Sequence, residues 1–234
     1  MGIRICCYFI DMIPWPSFGL RVLGEMVAAV FLVDLISGIL HLILDYADTG
    51  PLLRHTIALS YDEVHEIRRS SWRFHQSSLW LQTVWNFQSH HCAPYPEHDN
   101  QLVETAWIAT PTLLATLVQY AVGWLDASHC RVWVWVMILG HCVQACHFLS
   151  HQRVHRGVES LPPFVRRLQD AGLMLHPDIH RRHHASFDCD FCIFNGWANP
   201  VVNLAYRVAL RAGLVDPALR LQVPAAAAAD APNK

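Results

Sequence analysis

Residues His176 to His184 read HPDIHRRHH, and within them His180, His183 and His184 form an H-x-x-H-H cluster around Arg181 and Arg182. Three imidazoles this close repel one another when protonated, so the crowding costs a folded chain stability unless it serves a purpose. Binding a transition metal is such a purpose, because neutral imidazole is the commonest protein ligand for these ions. On a helix, residues three or four apart share a face, so His180 with His183 or His184 reaches one ion while the remaining histidine reaches a second. Three further clusters are of the same kind. His41 is followed at i+4 by Asp45, His90 and His91 are adjacent, and His147 precedes His151 in H-F-L-S-H. Together the four clusters offer eight imidazoles and a carboxylate.

Such clusters need rigid elements to hold them, and the composition points to membrane helices. At 53% hydrophobic and 15% charged, with mean hydropathy +0.22, the 234 residues are too apolar for an ordinary soluble domain and make about one domain. The expected fold class is all-α, an integral membrane helical protein with about three to four membrane helices. Gly19 to Ile43 is apolar apart from Arg21, Glu25, Asp34 and His41, which is long enough to cross a bilayer that needs about 20 residues. Asp34, Gly38, His41 and Asp45 share one helical face, a polar stripe expected to pack against other helices, with Gly38 allowing close approach. Leu102 to Leu125, kinked at Pro111, is a second expected span. Val132 to Leu149 is a third, carrying His141 and His147 with His151 just past its end. Residues 1–18 read as an interfacial segment without a cleaved leader, 19–222 as the membrane-embedded domain and 223–234 as a flexible, alanine-rich tail.

Between Tyr46 and Gln101 lies a long polar excursion. The spacing of Trp72, Trp80 and Trp85 suits an amphipathic helix lying at the membrane interface, while His55, His65 and His75, ten apart, match no helical face and read as surface histidines. If the first span exits at His41, the His90-His91 loop lies on that side, the second span leaves, and the third returns with His147 and His151. All four clusters then meet at one membrane face. Arg54, Arg68, Arg69, Arg73, Arg153, Arg156, Arg166 and Arg167 fall on the same side, which makes this histidine-rich metal face cytoplasmic.

Other chemistries are weaker. A net charge of -2 argues against nucleic acid as a partner. There is no H-E-x-x-H for a zinc protease, and no G-x-G-x-x-G after a strand pattern for a flavin or nicotinamide, so any reductant comes from a separate protein. Eight cysteines show no disulfide framework, and Cys189-Asp190-Phe191-Cys192 reads as packed thiols. A membrane protein that merely binds or carries zinc or haem predicts histidines strung along a path through the spans, whereas here they gather at one surface.

Taken in order, the motifs resemble a known family. They are Ser37-Gly38-x-x-His41-x-x-x-Asp45, Phe87-Gln88-x-His90-His91, His147-x-x-x-His151, Leu161-Pro162-Pro163, Leu168-Gln169-Asp170-x-Gly172-Leu173, His180-x-x-His183-His184 and Cys192-Ile193-x-x-Gly196-Trp197-x-Asn199. From about Phe31 to Asn203 this pattern resembles the Kua-type lipid desaturases, which include plasmanylethanolamine desaturase and the plant plastid palmitate trans-3 desaturase. Leu42 and Leu149 stand where that family usually has tryptophan, Gln144 sits one place early, and the loop from Asp45 to His90 is longer than its norm by about two dozen residues, a length that implies a task.

The resemblance implies a membrane diiron enzyme that uses O2 to introduce a double bond into an acyl or alkyl chain of a lipid. Removing hydrogen from an unactivated methylene is beyond acid-base groups, and imidazole with carboxylate suits iron. The expected ligands of two Fe ions are His41, His90, His91, His147, His151, His180, His183 and His184, with Asp45 a ligand or the acceptor that orients one. Asn100 and Asp170 are weaker candidates for the surrounding shell; the competing role for Asp170 is a helix cap or a partner for Arg166 or Arg167. Electrons are expected from a ferredoxin or a cytochrome b-type partner. A diiron hydroxylase, or a desaturase of a carrier-bound or specialised-metabolite chain, is the alternative.

Overall fold

The computed structural model describes residues 15–54, 61–91 and 127–219, with isolated positions between 114 and 122. Residues 1–14, His55, His98, Asn100, nearly all of the expected second span and the tail from Val223 lie outside the described residues. Every regular element within them is helical, as the all-α expectation requires.

Helix α1 runs from Trp15 to Tyr46. Beyond Pro16 it holds no helix breaker stronger than glycine, and its leucines, valines and alanines favour a continuous rod about 48 Å long. Its Gly19–Tyr46 portion is long and apolar enough to cross a membrane. The helix outlasts the expected end at Ile43 by three residues, which puts Asp45 on its last turn.

The excursion that follows folds into α2 (Gly50–Leu53), α3 (Tyr61–Ser70), α4 (Trp72–Gln76) and α5 (Leu79–Ser89). These helices enclose a small core of Leu53, Val64, Phe74 and Trp85. The expected interfacial tryptophan face is therefore divided: Trp72 and Trp80 are exposed, but Trp85 is fully buried against Phe74. Its indole does more by completing this core than it would at a surface.

The expected third span is two helices, α6 (Ala127–Gly140) and α7 (Val143–Arg156). The break falls at His141, whose Nδ1 takes the Met137 carbonyl at 2.7 Å, while the Cys142 N–H turns to Leu139 O, three residues back, at 2.8 Å. A side chain competing for an i−4 carbonyl loosens the ladder at that point. Residues Arg131–Arg156 together still have the length and hydropathy of a span, so the described residues hold two such stretches. Helices α8 (Pro163–Asp170), α9 (Pro177–Ser186) and α10 (Asn199–Arg211) are the remaining α-helices of the described residues.

What joins the late segments to α1 is Asp34. Its carboxylate is fully buried and accepts four backbone N–H groups: Phe194, Asn195 and Gly196 on Oδ1 at 2.9–3.2 Å, and Ala198 on Oδ2 at 2.8 Å. One turn on, the Ser37 hydroxyl receives the Ile193 N–H at 3.3 Å. A buried carboxylate is expensive unless hydrogen-bonded, and a loop with unmet N–H groups is equally so, hence each resolves the other's cost. The polar stripe of α1 thus packs partly against other helices, as expected, with Gly38 against Val202 of α10 and Asp45 against His183 of α9, and partly, through Asp34 and Ser37, against the backbone of a loop. Gly38 serves the same approach, because a Cβ there would meet Cys192 Sγ at 2.5 Å.

Asp34→Ala leaves four buried N–H groups without an acceptor. It should lower unfolding stability by about 4 kcal/mol, at roughly 1 kcal/mol for each donor, while Ile36→Ala on the exposed face should change it little; thermal unfolding in detergent checks the pair.

Candidate metal centre

The histidine clusters are delivered by the last turns of α1, the turn after α5, the middle of α7 and the body of α9. Helix α9 starts at Pro177, a residue preorganised for a first turn, with the His176 side chain accepting from Asp178 N as its cap. It ends at Phe187, which adopts a left-handed conformation (φ 60°) and returns its N–H to His183 O at 2.7 Å. An aromatic residue rarely occupies that region, at a cost of about 1–2 kcal/mol. The conformation is held by the Tyr46 hydroxyl, which donates to Phe187 O at 2.5 Å, and by contact of the Phe187 ring with His91, centroids 4.5 Å apart and planes tilted by 52°.

All nine ligands expected from the sequence converge, in two groups whose candidate donor atoms lie within 4.8 Å of one another. One group is His90, His147, His151, His180 and His184; the other is His41, Asp45, His91 and His183. The spacing left open how the H-x-x-H-H cluster divides. In the fold His180 and His184, four apart, face one group and His183 the other, and the adjacent pair His90 and His91 is split in the same way.

In the five-imidazole group, Nε2 atoms meet at their tips. His147 and His180 are 2.7 Å apart, His180 and His151 2.8 Å, His151 and His147 3.0 Å, and His184 lies 3.0 Å from His180. Each Nε2 is either a donor or an acceptor. Of the three in the triangle two must therefore be alike, and no arrangement of protons makes every contact a hydrogen bond. A cation that accepts all the lone pairs removes the conflict.

The second group has the same signature around a carboxylate. Asp45 Oδ1 lies 2.9 Å from His91 Nε2, and Oδ2 lies 3.1 Å from His183 Nε2 and 3.3 Å from His41 Nε2. The last two approaches lack hydrogen-bond geometry, leaving Asp45 Oδ2, His183 Nε2 and both ring nitrogens of His41 buried without a bond. Outer hydrogen bonds orient the rings: His183 Nδ1 donates to Cys189 O at 2.7 Å, and His90 Nδ1 pairs with Phe87 O. These bonds leave Nε2 as the lone-pair atom on both rings, as the ligands of a metal require. The donor set is nitrogen and oxygen with no thiolate, and the residues present fit a divalent transition metal.

Burial, with neighbouring imidazoles adding to it, holds His90, His180 and His184 well below the usual imidazole range, so they stay neutral. Phe87, Phe187 and Phe191 cover the Asp45 group, with ring centroids 4.7 Å from His41, 4.5 Å from His91 and 5.1 Å from His183.

The remaining histidines and the carboxylate outside the groups have other places. His65 and His75 are exposed, as expected of surface histidines. Asp170 stands in neither group: its side chain is 55% exposed and meets Arg153 at 2.7 Å, not Arg166 or Arg167. The described cysteines Cys142, Cys146, Cys189 and Cys192 are free thiols, and burial pushes the Cys192 thiol up. Sequence reasoning missed Phe187 and the Cys189 carbonyl, because a left-handed aromatic and a main-chain acceptor carry no residue-type signal.

A helical frame with two candidate membrane-spanning stretches and two converging histidine groups is compatible with metal use in a membrane-associated protein. A family model described as the lipid desaturase domain matches residues 72–208, more than half of the chain, and the chain belongs to that family. The matched stretch holds seven of the nine converging residues; His41 and Asp45 precede it and join through α1. No curated protein and no solved structure matches the chain. The family and the histidine groups together fit a lipid desaturase.

The neutral imidazoles give a pH signature. The unfolded chain takes up protons near the ordinary value of 6.5, whereas the folded, metal-free chain refuses them at His90, His180 and His184. Stability is therefore complete above that value and is lost as pH falls below it, by up to about 1.4 kcal/mol per pH unit for each histidine. Unfolding of the metal-free protein between roughly pH 7.5 and 5.5 should show this slope, and bound metal should move its onset to lower pH.

Proposed function

We propose that the chain is a membrane diiron desaturase that uses O2 to place a double bond in the acyl or alkyl chain of a lipid. The observation that carries this reading is the convergence of eight imidazoles and one carboxylate in two adjacent buried groups within a lipid desaturase family member. His90, His147, His151, His180 and His184 would hold one iron, and His41, Asp45, His91 and His183 the other. Five imidazoles exceed the four ligands of a structural zinc site, and nitrogen-oxygen donors suit iron. When bound, such a pair with O2 supplies the oxidising power to break unactivated C–H bonds, which side chains lack.

The chain's own residues do the rest. His183 and His90 are held in the tautomer that presents Nε2 by Cys189 O and Phe87 O. Asp45 brings a carboxylate to the three imidazoles of the second group. Phe87, Phe187 and Phe191 keep water from its rings. In the overall reaction two hydrogens leave adjacent carbons. Dioxygen is reduced to two waters, taking the two hydrogens from the lipid chain, two electrons from an external carrier such as a ferredoxin or a cytochrome b-type protein, and two protons from solvent. The arginines after α1 and α7 support a cytoplasmic position for the metal face.

Lipid profiling of a host that lacks this activity tests the proposal. Expression should yield a lipid species two hydrogens lighter than its precursor, and Asp45→Asn should reduce it by about a hundredfold, the scale of losing a metal ligand or its orientation. A product one oxygen heavier would make the enzyme a hydroxylase, and an unchanged lipid pool with iron-replete protein would overturn the reading.

A further inference from the structure

We infer that Gln88 is a positioning residue that sets the Asp45 group by bracing α1 against α5; this rests on the metal-binding reading above. Gln88 is 3% exposed, and its side-chain amide donates twice, to Leu44 O at 2.9 Å and to Ala47 O at 2.8 Å. The first is a carbonyl of the last turn of α1 and the second that of the residue just past its end, acceptors that the helix cannot satisfy itself. They flank Asp45. The main chain of the same residue faces the other way, with Gln88 O accepting the His91 N–H at 3.2 Å. The His91 ring then returns to Asp45, Nε2 to Oδ1, at 2.9 Å.

A closed circuit results, from α1 through Gln88 to His91 and back to α1 at Asp45. It ties the helix that carries His41 and Asp45 to the turn that carries His90 and His91 at two points, through Gln88 and through the His91–Asp45 bond. Two features make the residue type specific. Both partners are carbonyl oxygens, so the side chain has to supply two donors, which a primary amide does without a charge. The site is buried, so an ionised replacement there has no water to turn to. Glutamate has the same length and shape but, ionised, offers only acceptors to two acceptors. The neighbouring Phe87 acts on both groups, its ring on His41 at 4.7 Å and its carbonyl on the His90 ring. The Phe87-Gln88 dipeptide thereby spaces the two groups.

The test is iron content of the full chain, loaded anaerobically with ferrous iron in detergent, for Gln88→Glu, His183→Ala, His151→Ala and the pairwise combinations with Gln88→Glu. The expected content is about two irons per chain for the parent and about one for Gln88→Glu. Adding His183→Ala to Gln88→Glu should remove no more, because both act on the Asp45 group. Adding His151→Ala should remove the remaining iron. This pattern separates positioning from misfolding, since a merely unstable chain would lose both irons at once. Full occupancy in Gln88→Glu, or loss of both irons in that single variant, would overturn the assignment. A parent chain that binds no iron would overturn the metal-binding reading itself, and the role of Gln88 with it.

Discussion

Too many lone pairs point at two places in the interior of this protein. A buried imidazole can be satisfied by one donor and one acceptor, and three Nε2 atoms within 3.0 Å of one another cannot all be satisfied by protons. Burial also denies His180 the charged form that would supply a further donor. A fold that assembles such a group from the turn after α5, the middle of α7 and the body of α9, and a second from α1, the same turn and α9, has put the cost of desolvated polar atoms where a cation would reverse it.

The rest of the described structure can be understood as meeting that constraint. Helix α1 is the common support, since it carries His41 and Asp45 near its end and Asp34 three turns earlier. Through Ser37 and Asp34 it fixes residues 193–198, and with them Phe191 and Cys189, which touch the His183 ring and its Nδ1. Gly38 lets the same loop come within a side chain's thickness of the helix. The left-handed turn at Phe187 stores strain beside the second group, and Tyr46, on the last turn of α1, holds it.

Much of this was legible in the sequence because metal chemistry leaves a residue-type signal at helical spacing. His41 and Asp45, His147 and His151, and His180 and His184 are each four apart, and each pair shares a group. The division of His90 from His91, and of His183 from its neighbours, was not legible, since it depends on how the helices meet. Asp34 shows the same limit from the other side: its place on the polar face of α1 was plain, but a carboxylate bonds loop N–H groups as readily as it faces another helix. Trp85 was misplaced at the interface because aromatic spacing alone does not tell a membrane surface from a small core formed by distant residues such as Leu53 and Val64. Asp170 illustrates a third limit, as an ion-pair partner seventeen residues away has no periodicity to betray it.

The measurement that bears most directly on the whole account is X-ray absorption at the iron edge of the loaded, full-length protein. The account requires an inner shell of nitrogen and oxygen alone, rich in imidazole scattering, with about two irons per chain. Sulfur in that shell, or a chain that takes up a single zinc and refuses iron, would contradict it.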